Sequence, residues 1–543
     1  MLSQYTVALP PTAADSDMNR VLVIGWDGAD WRILDPLLGR GILPNLAALI
    51  RRGGRAVLRS TVPTHSWAAW PSFLTGVDPD EHGVYDILET RRGATRQHPV
   101  SFRSIRERTF LHDLTEAAIE TVMVNVPLTA PPPKISGKLV AGGVLPKGRP
   151  YTYPESLAGE LERAGVPFPI NGMSWTTFPH RPEPFLQEVG ALIRARQRAT
   201  EHLLDSSDWR VGVAVFVAPD RVQHCLNEYV SNDHPDYAER SREPLAEKVR
   251  DVYRLLDEGL GRLVERADDG DLVLFMSDHG MQSCTGTVNM DRLLERLGLL
   301  EFSASNAIFG PMQWGKVRSI ARKLYDTLGL HGRVSLPQAV NWSKTQAYTS
   351  IRSTGQGVNV NLRGRESDGI VDPADFERTR DEVAQRLLAF SDPRTGTRPV
   401  ARAVRREEAF RGSYADEAPD LLLDPAPLYM LTHARLAVEP ADWSSGDHRI
   451  EGVLAAAGPA VASGGLPDGP RLVDLAPTIL AAAGAPASVH HTGRVLTELV
   501  GAAAGSRAAA AAVPAPDADT SSGLDEHEEE EVEEHLRGLG YLE

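Results

Sequence analysis

The sequence predicts an α/β protein: a mostly parallel central sheet flanked by helices, with an inserted cap region. Three observations carry that prediction. Short runs rich in Val, Leu and Ile recur along the chain, several without polar alternation, as in strands covered on both faces. Segments with apolar residues at three-to-four spacing lie between them, and strands alternating with helices build a layered α/β fold. Asp and His residues also follow directly after several of the runs, where open α/β sheets collect their ligands.

In chain order, residues 1–19 are polar with scattered Pro and Asp, and are expected to form a flexible amino terminus. They lack the basic end and apolar run of a secretory signal, which favours a cytoplasmic location. An α/β core is expected over 20–300 and 416–500. Its strands are predicted at 20–25, 121–125, 211–218, 272–276, 421–424 and 452–456, and two of its helices at 185–204 and 244–267. The rhythm breaks at 302–347, followed by a strand-like 359–364 and a helix-like 373–389. Residues 301–415 therefore read as an inserted cap or α+β region. Residues 501–523, rich in Ala, Gly, Pro and Ser, read as a linker. The acidic segment 524–543 reads as a helix whose Val532, Leu536 and Leu539 line one face. Such a tail docks on the body or a partner, or stands as a solvated acidic helix.

At 543 residues the chain is long enough for about two to four domain-sized units. No run of about eighteen apolar residues occurs, so no membrane span is indicated. Cys225 and Cys284 are the only cysteines. They exclude a disulfide framework and a thiolate zinc site, and they fit a reducing compartment. Eleven acidic residues and two arginines fall after residue 500, leaving −7 of the net −16 for the body. That balance argues against a nucleic-acid groove, while small anionic substrates remain compatible with local cations.

Four spots carry the chemistry. They are Val21-Leu-Val-Ile-Gly-Trp-Asp27-Gly, Val213-Ala-Val-Phe-Val-Ala-Pro-Asp220-Arg-Val-Gln-His224, Leu272-Val-Leu-Phe-Met-Ser-Asp278-His279-Gly and Ser445-Gly-Asp-His448-Arg. The first three follow predicted strands, and His448 is expected to reach them from a neighbouring loop. Each alone has an ordinary explanation as a turn, cap or solvated residue; their joint appearance does not. Mixed carboxylate and imidazole donors suit zinc or manganese better than magnesium or calcium. Six such ligands divide into two sets of three, and two metals about 3.5–4 Å apart clamp both oxygens of a phosphoryl transfer. The missing part is a hydroxyl nucleophile. The segment 60–76 supplies six hydroxyl side chains: Ser60, Thr61, Thr64, Ser66, Ser72 and Thr75. A helix is expected over 67–74, limited by Pro71 to a first turn or a kink.

These residues resemble the alkaline phosphatase superfamily, in its type I phosphodiesterase/nucleotide pyrophosphatase-like branch. They are most similar to a predicted bacterial and archaeal phosphohydrolase/phosphomutase group. The likeness rests on the four spots, on 60–76 with Pro79-Asp-Glu-His82-Gly, on Val126-Pro-Leu-Thr-Ala-Pro-Pro132, on Leu472-Val-Asp-Leu-Ala-Pro-Thr-Ile479 and on the closing Leu-Gly-Tyr-Leu542. The resemblance implies two divalent ions. Asp220, His224 and His448 would hold one; Asp27, Asp278 and His279 would hold the other together with the nucleophile oxygen. It places that nucleophile nine residues before the Thr75-Gly76 pair, at Ser66.

The implied activity is a metal-dependent phosphohydrolase acting on a phosphate mono- or diester through a phosphoseryl intermediate. A phosphomutase using the same phosphoserine, or a catalytically silent binding protein, are the alternatives. Diesterase relatives place an Asn three residues after the nucleophile; here that position is Ala69, which weakens any inference of nucleotide specificity. Ser66-Trp-Ala-Ala-Trp70 lacks the Pro and Arg of the sulfatase branch. Substrate-binding residues are not identified, and Arg352, Arg363 and Arg365 of the insertion read as structural or surface groups first.

Overall fold

The computed structural model describes residues 20–538, except 91–96, 176–177, 179–180, 304–339, 434–438, 441–444, 462–465, 467–468, 487–489 and 502–523. The expected flexible terminus at 1–19 and nearly all of the expected linker lie outside the described residues, as do Leu539 and the closing Leu-Gly-Tyr-Leu542.

The predicted α/β class is the observed one. Eight strands form the central sheet in the order Gly54–Arg59, Glu451–Ala457, Leu272–Met276, Val21–Trp26, Val211–Phe216, Thr121–Val124, Gly137–Val140 and Thr152–Tyr153. From Leu272–Met276 to Gly137–Val140 all neighbours are parallel; Glu451–Ala457 and Thr152–Tyr153 run antiparallel to theirs. The run at 452–456 is thus a strand, but one reversed against the parallel set.

Both faces of the sheet are covered, which explains the unbroken apolar runs. Val21 and Val23 point to one face, packed under helices Ser66–Thr75 and Leu475–Ala483. Leu22 and Ile24 point to the other, under Pro44–Arg52, Pro182–Asp205 and Pro244–Val264. This is the two-residue period of a strand, with apolar side chains on both sides.

A second sheet continues from the core: Gly280–Asn289 pairs with Leu428–Thr432, Glu439–Pro440 and Gly446–Arg449. A third contains Ala347–Thr349, Gly357–Val360, Leu421–Pro425 and Val400–Arg405, with helix Phe376–Ala389 sharing its apolar cluster. The run 421–424, read as one of the core strands, is corrected here. It pairs antiparallel with Gly357–Val360 and Val400–Arg405. Its apolar character reports burial and not which sheet buries it. Among the described residues, no single helix is long and apolar enough to cross a membrane.

Candidate active site

Three neighbouring parallel strands deliver the acidic residues to one edge. Asp27 follows Val21–Trp26 and Asp278-His279 follow Leu272–Met276. Asp220 sits in the first turn of helix Ala218–Leu226, just after Val211–Phe216. His224, four residues on, shares its helix face with Asp220. Gly28 adopts φ +69, and a Cβ there would come within 3.2 Å of Asp220 Oδ1. A left-handed turn without a side chain lets the Asp27 loop close onto Asp220.

His448 arrives by a different route from the loop the sequence suggests. It lies within strand Gly446–Arg449, opposite Met281 in the antiparallel pair with Gly280–Asn289, so backbone register brings it beside His279. The His279 and His448 rings are 4.3 Å apart at their centroids.

Ser66 opens helix Ser66–Thr75, every residue of which is buried. Pro71 neither stops the helix at one turn nor confines it to 67–74. A proline inside a helix costs about 3 kcal/mol, whereas burying a large apolar side chain contributes about 1.5–3 kcal/mol. Trp70, Phe73 and Leu74 are fully buried on this helix, and together they outweigh the lost bond. Gly76, at φ +69, ends it. Beneath it the buried His82 accepts from Val84 N at Nδ1 and donates from Nε2 to Ser72 Oγ at 2.9 Å.

Ser66 Oγ stands 3.1 Å from His279 Nε2 and 3.3 Å from Asp27 Oδ1. His279 Nδ1 donates to Gly280 O, leaving Nε2 as a lone-pair acceptor toward the hydroxyl. His279 Nε2 also lies 3.3 Å from Asp278 Oδ2, and Asp278 Oδ1 accepts from Gly28 N. On the other side, His224 Nδ1 donates to Gly446 O, so its Nε2 points at His448 Nε2, 3.0 Å away, and at Asp220 Oδ1, 3.3 Å away.

Donor atoms of Asp220, His224 and His448 lie within 4.8 Å of one another, and so do those of Asp27, Asp220 and His279. Asp220 thus touches both groups. Asp278 stands at the flank of the second, beside His279. Asp220 Oδ1 and Asp278 Oδ2 are buried without a hydrogen-bond partner. Acceptors converging on two points, with orphaned carboxylate oxygens among them, fit a divalent cation at each group.

The titration behaviour has the same origin. Burial, then Asp278 and Asp220, raise the Asp27 carboxyl well above the usual range. Burial and Asp220 push Asp278 up to about 7. Burial also acts against the charge of Asp220, but His224 and His448 overcome it and hold that carboxyl well below the usual range. Burial and the neighbouring His279 lower His448.

Several residues support the site, and of these Trp70 and Asp30 are not evident from sequence. Trp70 Nε1 donates to Asp27 Oδ2 at 3.1 Å. Buried Asp30 accepts from Met281 N and from Arg449 Nη1, tying the Asp27 loop to both strands beyond the site. Asp447, beside His448, is buried and its carboxyl is pushed up to about 6 by burial. His65 donates from Nε2 to Tyr85 O, which orients the residue before Ser66. Burial lowers its pKa to about 3, so its ring is neutral. The insertion arginines have other tasks: Arg365 forks onto Asp420 and Arg363 pairs with Asp372. Arg352 is exposed, and its backbone N–H donates to Asp86.

The sequence profile described as Type I phosphodiesterase / nucleotide pyrophosphatase matches residues 21–450. No curated protein matches the sequence significantly. Among solved structures, the fold is similar to phosphonoacetate hydrolase from Sinorhizobium meliloti 1021 in complex with phosphonoacetate. That match has 15% identity and a TM-score of 0.52, and covers 86% of this chain and 95% of the other. It is also similar to murine ectonucleotide pyrophosphatase/phosphodiesterase 5, an inactive variant in complex with AMP. There the identity is 12% and the TM-score 0.52, over 88% of this chain and 97% of the other.

Proposed function

The chain belongs to the type I phosphodiesterase/nucleotide pyrophosphatase family and is a phosphoric ester hydrolase, and from that premise we propose that Ser66 is its nucleophile at a two-metal site. The observation that carries this reading is Ser66 Oγ, buried at 3.1 Å from His279 Nε2 and 3.3 Å from Asp27 Oδ1. A hydroxyl set between two acceptors is oriented for loss of its proton.

Asp220, His224 and His448 would hold one divalent ion; Asp27, Asp278 and His279 would hold the second, next to Ser66 Oγ. When bound, two such ions, zinc or manganese by this donor set, lower the pKa of a hydroxyl and neutralise charge gathering on phosphoryl oxygens. The remaining work falls to the chain. The rigid, buried helix holds Ser66 in line with the ester phosphorus. Its oxygen bonds to phosphorus as the bond to the leaving oxygen breaks, and that oxygen departs with the electron pair. Water then cleaves the phosphoseryl ester, releasing phosphate or a phosphomonoester and restoring Ser66. The amino end of helix Ser66–Thr75 carries no side-chain cap, so its partial positive charge favours the phosphoryl anion.

A small phosphorylated substrate fits this site, and the ligands of the two similar structures, phosphonoacetate and AMP, support that class. Ala69 offers no amide to a non-bridging oxygen. Hydrolysis of para-nitrophenyl phosphate and of its bis ester, with added zinc or manganese, tests the reading. Ser66→Ala is expected to lower kcat by at least about 10³-fold with metal content kept. Acid quenching should trap phosphate on Ser66 in the unmodified chain. Turnover retained in Ser66→Ala would sink the nucleophile assignment.

A further inference from the structure

Helix Glu526–Gly538 lies against segments that directly follow strands Thr121–Val124 and Gly137–Val140, at the sheet edge that carries the candidate site. Val532 and Leu536 are 4% and 1% exposed and join the apolar cluster that contains Trp67, the neighbour of Ser66. Between them and Trp67, Leu128, Ala130 and Gly143 only a narrow cleft remains. On the same helix, burial and then the Arg221 cation lower the proton affinity of His535. Arg221 Nε in turn stands 3.9 Å from Asp220 Oδ2. The helix therefore faces Trp67, the neighbour of Ser66, across that cleft.

Its attachment is ionic around a small apolar centre. Glu528 pairs with Arg149, Glu529 with His98 at 2.9 Å, and Glu531 accepts from Lys147 N at 3.1 Å. Two apolar side chains, a partly exposed ion pair at Arg149 and a mostly buried pair at His98 make the contact, and its exposed ionic part weakens with salt.

We propose that this carboxy-terminal helix is a latched gate beside Ser66 that restricts the leaving-group side of the site to small phosphoryl substrates. The proposal rests on the hydrolase reading above. Val532 and Leu536 line the cleft that Trp67 also borders, and a bulky ester group reaching past Ser66 in that direction would meet them. The acidic residues are the latch, and breaking them opens the groove without touching the reacting groups.

The test compares kcat/KM for para-nitrophenyl phosphate and its bis ester in four proteins: the full chain, a chain ending at residue 523, Arg149→Glu, and Arg149→Glu combined with Glu528→Arg. Truncation and Arg149→Glu should raise the bis-ester to monoester ratio at least tenfold, and the paired charge swap should return it toward that of the full chain. Backbone hydrogen exchange over 126–145 should quicken in the same two opened forms. An unchanged ratio with activity intact would overturn the gate and leave the hydrolase reading standing. No hydrolysis of either ester by any form would overturn both. A ratio in the full chain that drifts with protein concentration would assign the helix to a second copy and overturn a gate within one chain.

Discussion

The Nε2 atoms of His224 and His448 stand 3.0 Å apart, and Asp220 Oδ1 lies 3.3 Å from the first and 3.6 Å from the second. Because His224 donates from Nδ1 to Gly446 O, the ring turns its Nε2 toward His448 Nε2 and Asp220 Oδ1. A divalent ion would relieve all three acceptors together, which makes this cluster a coupling between metal binding and stability.

Chelation should therefore lower the unfolding free energy of the protein. A metal present at about a thousand times its Kd stabilises the native state by about 4 kcal/mol. In His448→Asn the difference between metal-loaded and chelated protein should shrink, together with metal stoichiometry and at least about 100-fold of kcat/KM. Thermal unfolding with and without chelator, alongside metal analysis, checks this. An undiminished difference in the variant would exclude His448 as a ligand.

Trp70→Phe should separate packing from orientation. Most of the ring pocket stays filled, while Asp27 Oδ2 loses the indole N–H at 3.1 Å. Removing such a support costs about 10–100-fold in activity or metal affinity. Steady-state kinetics and metal titration should show that loss, with a modest fall in the thermal midpoint from the cavity left by the smaller ring. A large drop in stability with unaltered kcat would assign Trp70 to packing alone.

Asp27, Asp220 and Asp278-His279 are legible in the sequence because each follows an unbroken apolar run, and unbroken runs are what a sheet covered on both faces requires. His448 is legible as a residue but not as a position. Gly446–Arg449 carries no apolar pattern, and only backbone pairing with Gly280–Asn289 makes it a strand. Trp70 reads as core, since nothing in its spacing announces Asp27. Asp30 caps the following helix through Arg32 N. Its second oxygen reaches Met281 and Arg449, contacts set by the fold. The run at 421–424 shows the converse limit: apolar content predicts a buried strand, while its antiparallel pairing with Gly357–Val360 and Val400–Arg405, and not with the central sheet, is set by the fold.

Acid should weaken the protein through His82. Burial lowers its pKa from 6.5 to about 3, so between those values the unfolded chain binds a proton that the folded chain does not. Stability from this group is thus present above pH 6.5 and falls as pH drops toward 3, by about 2 kcal/mol between pH 6.5 and 5. Denaturant unfolding of the metal-free protein over that range should show the slope. His82→Gln, which has no proton to bind, should reduce the slope by this group's share, leaving that of His65, while lowering stability at pH 7.

Gly28→Ala tests the closest approach in the site. Alanine at φ +69 costs about 1–2 kcal/mol in backbone strain, and its Cβ would stand 3.2 Å from Asp220 Oδ1. That distance is tight enough to move the carboxylate by a few tenths of an ångström. Because Asp220 belongs to both groups of converging donors, the displacement should weaken metal binding at each. Titration should show lower affinity for both ions and kcat/KM reduced at least tenfold, with a modest fall in thermal stability. Loss of stability alone, with metal affinity intact, would mean that Gly28 serves only the turn.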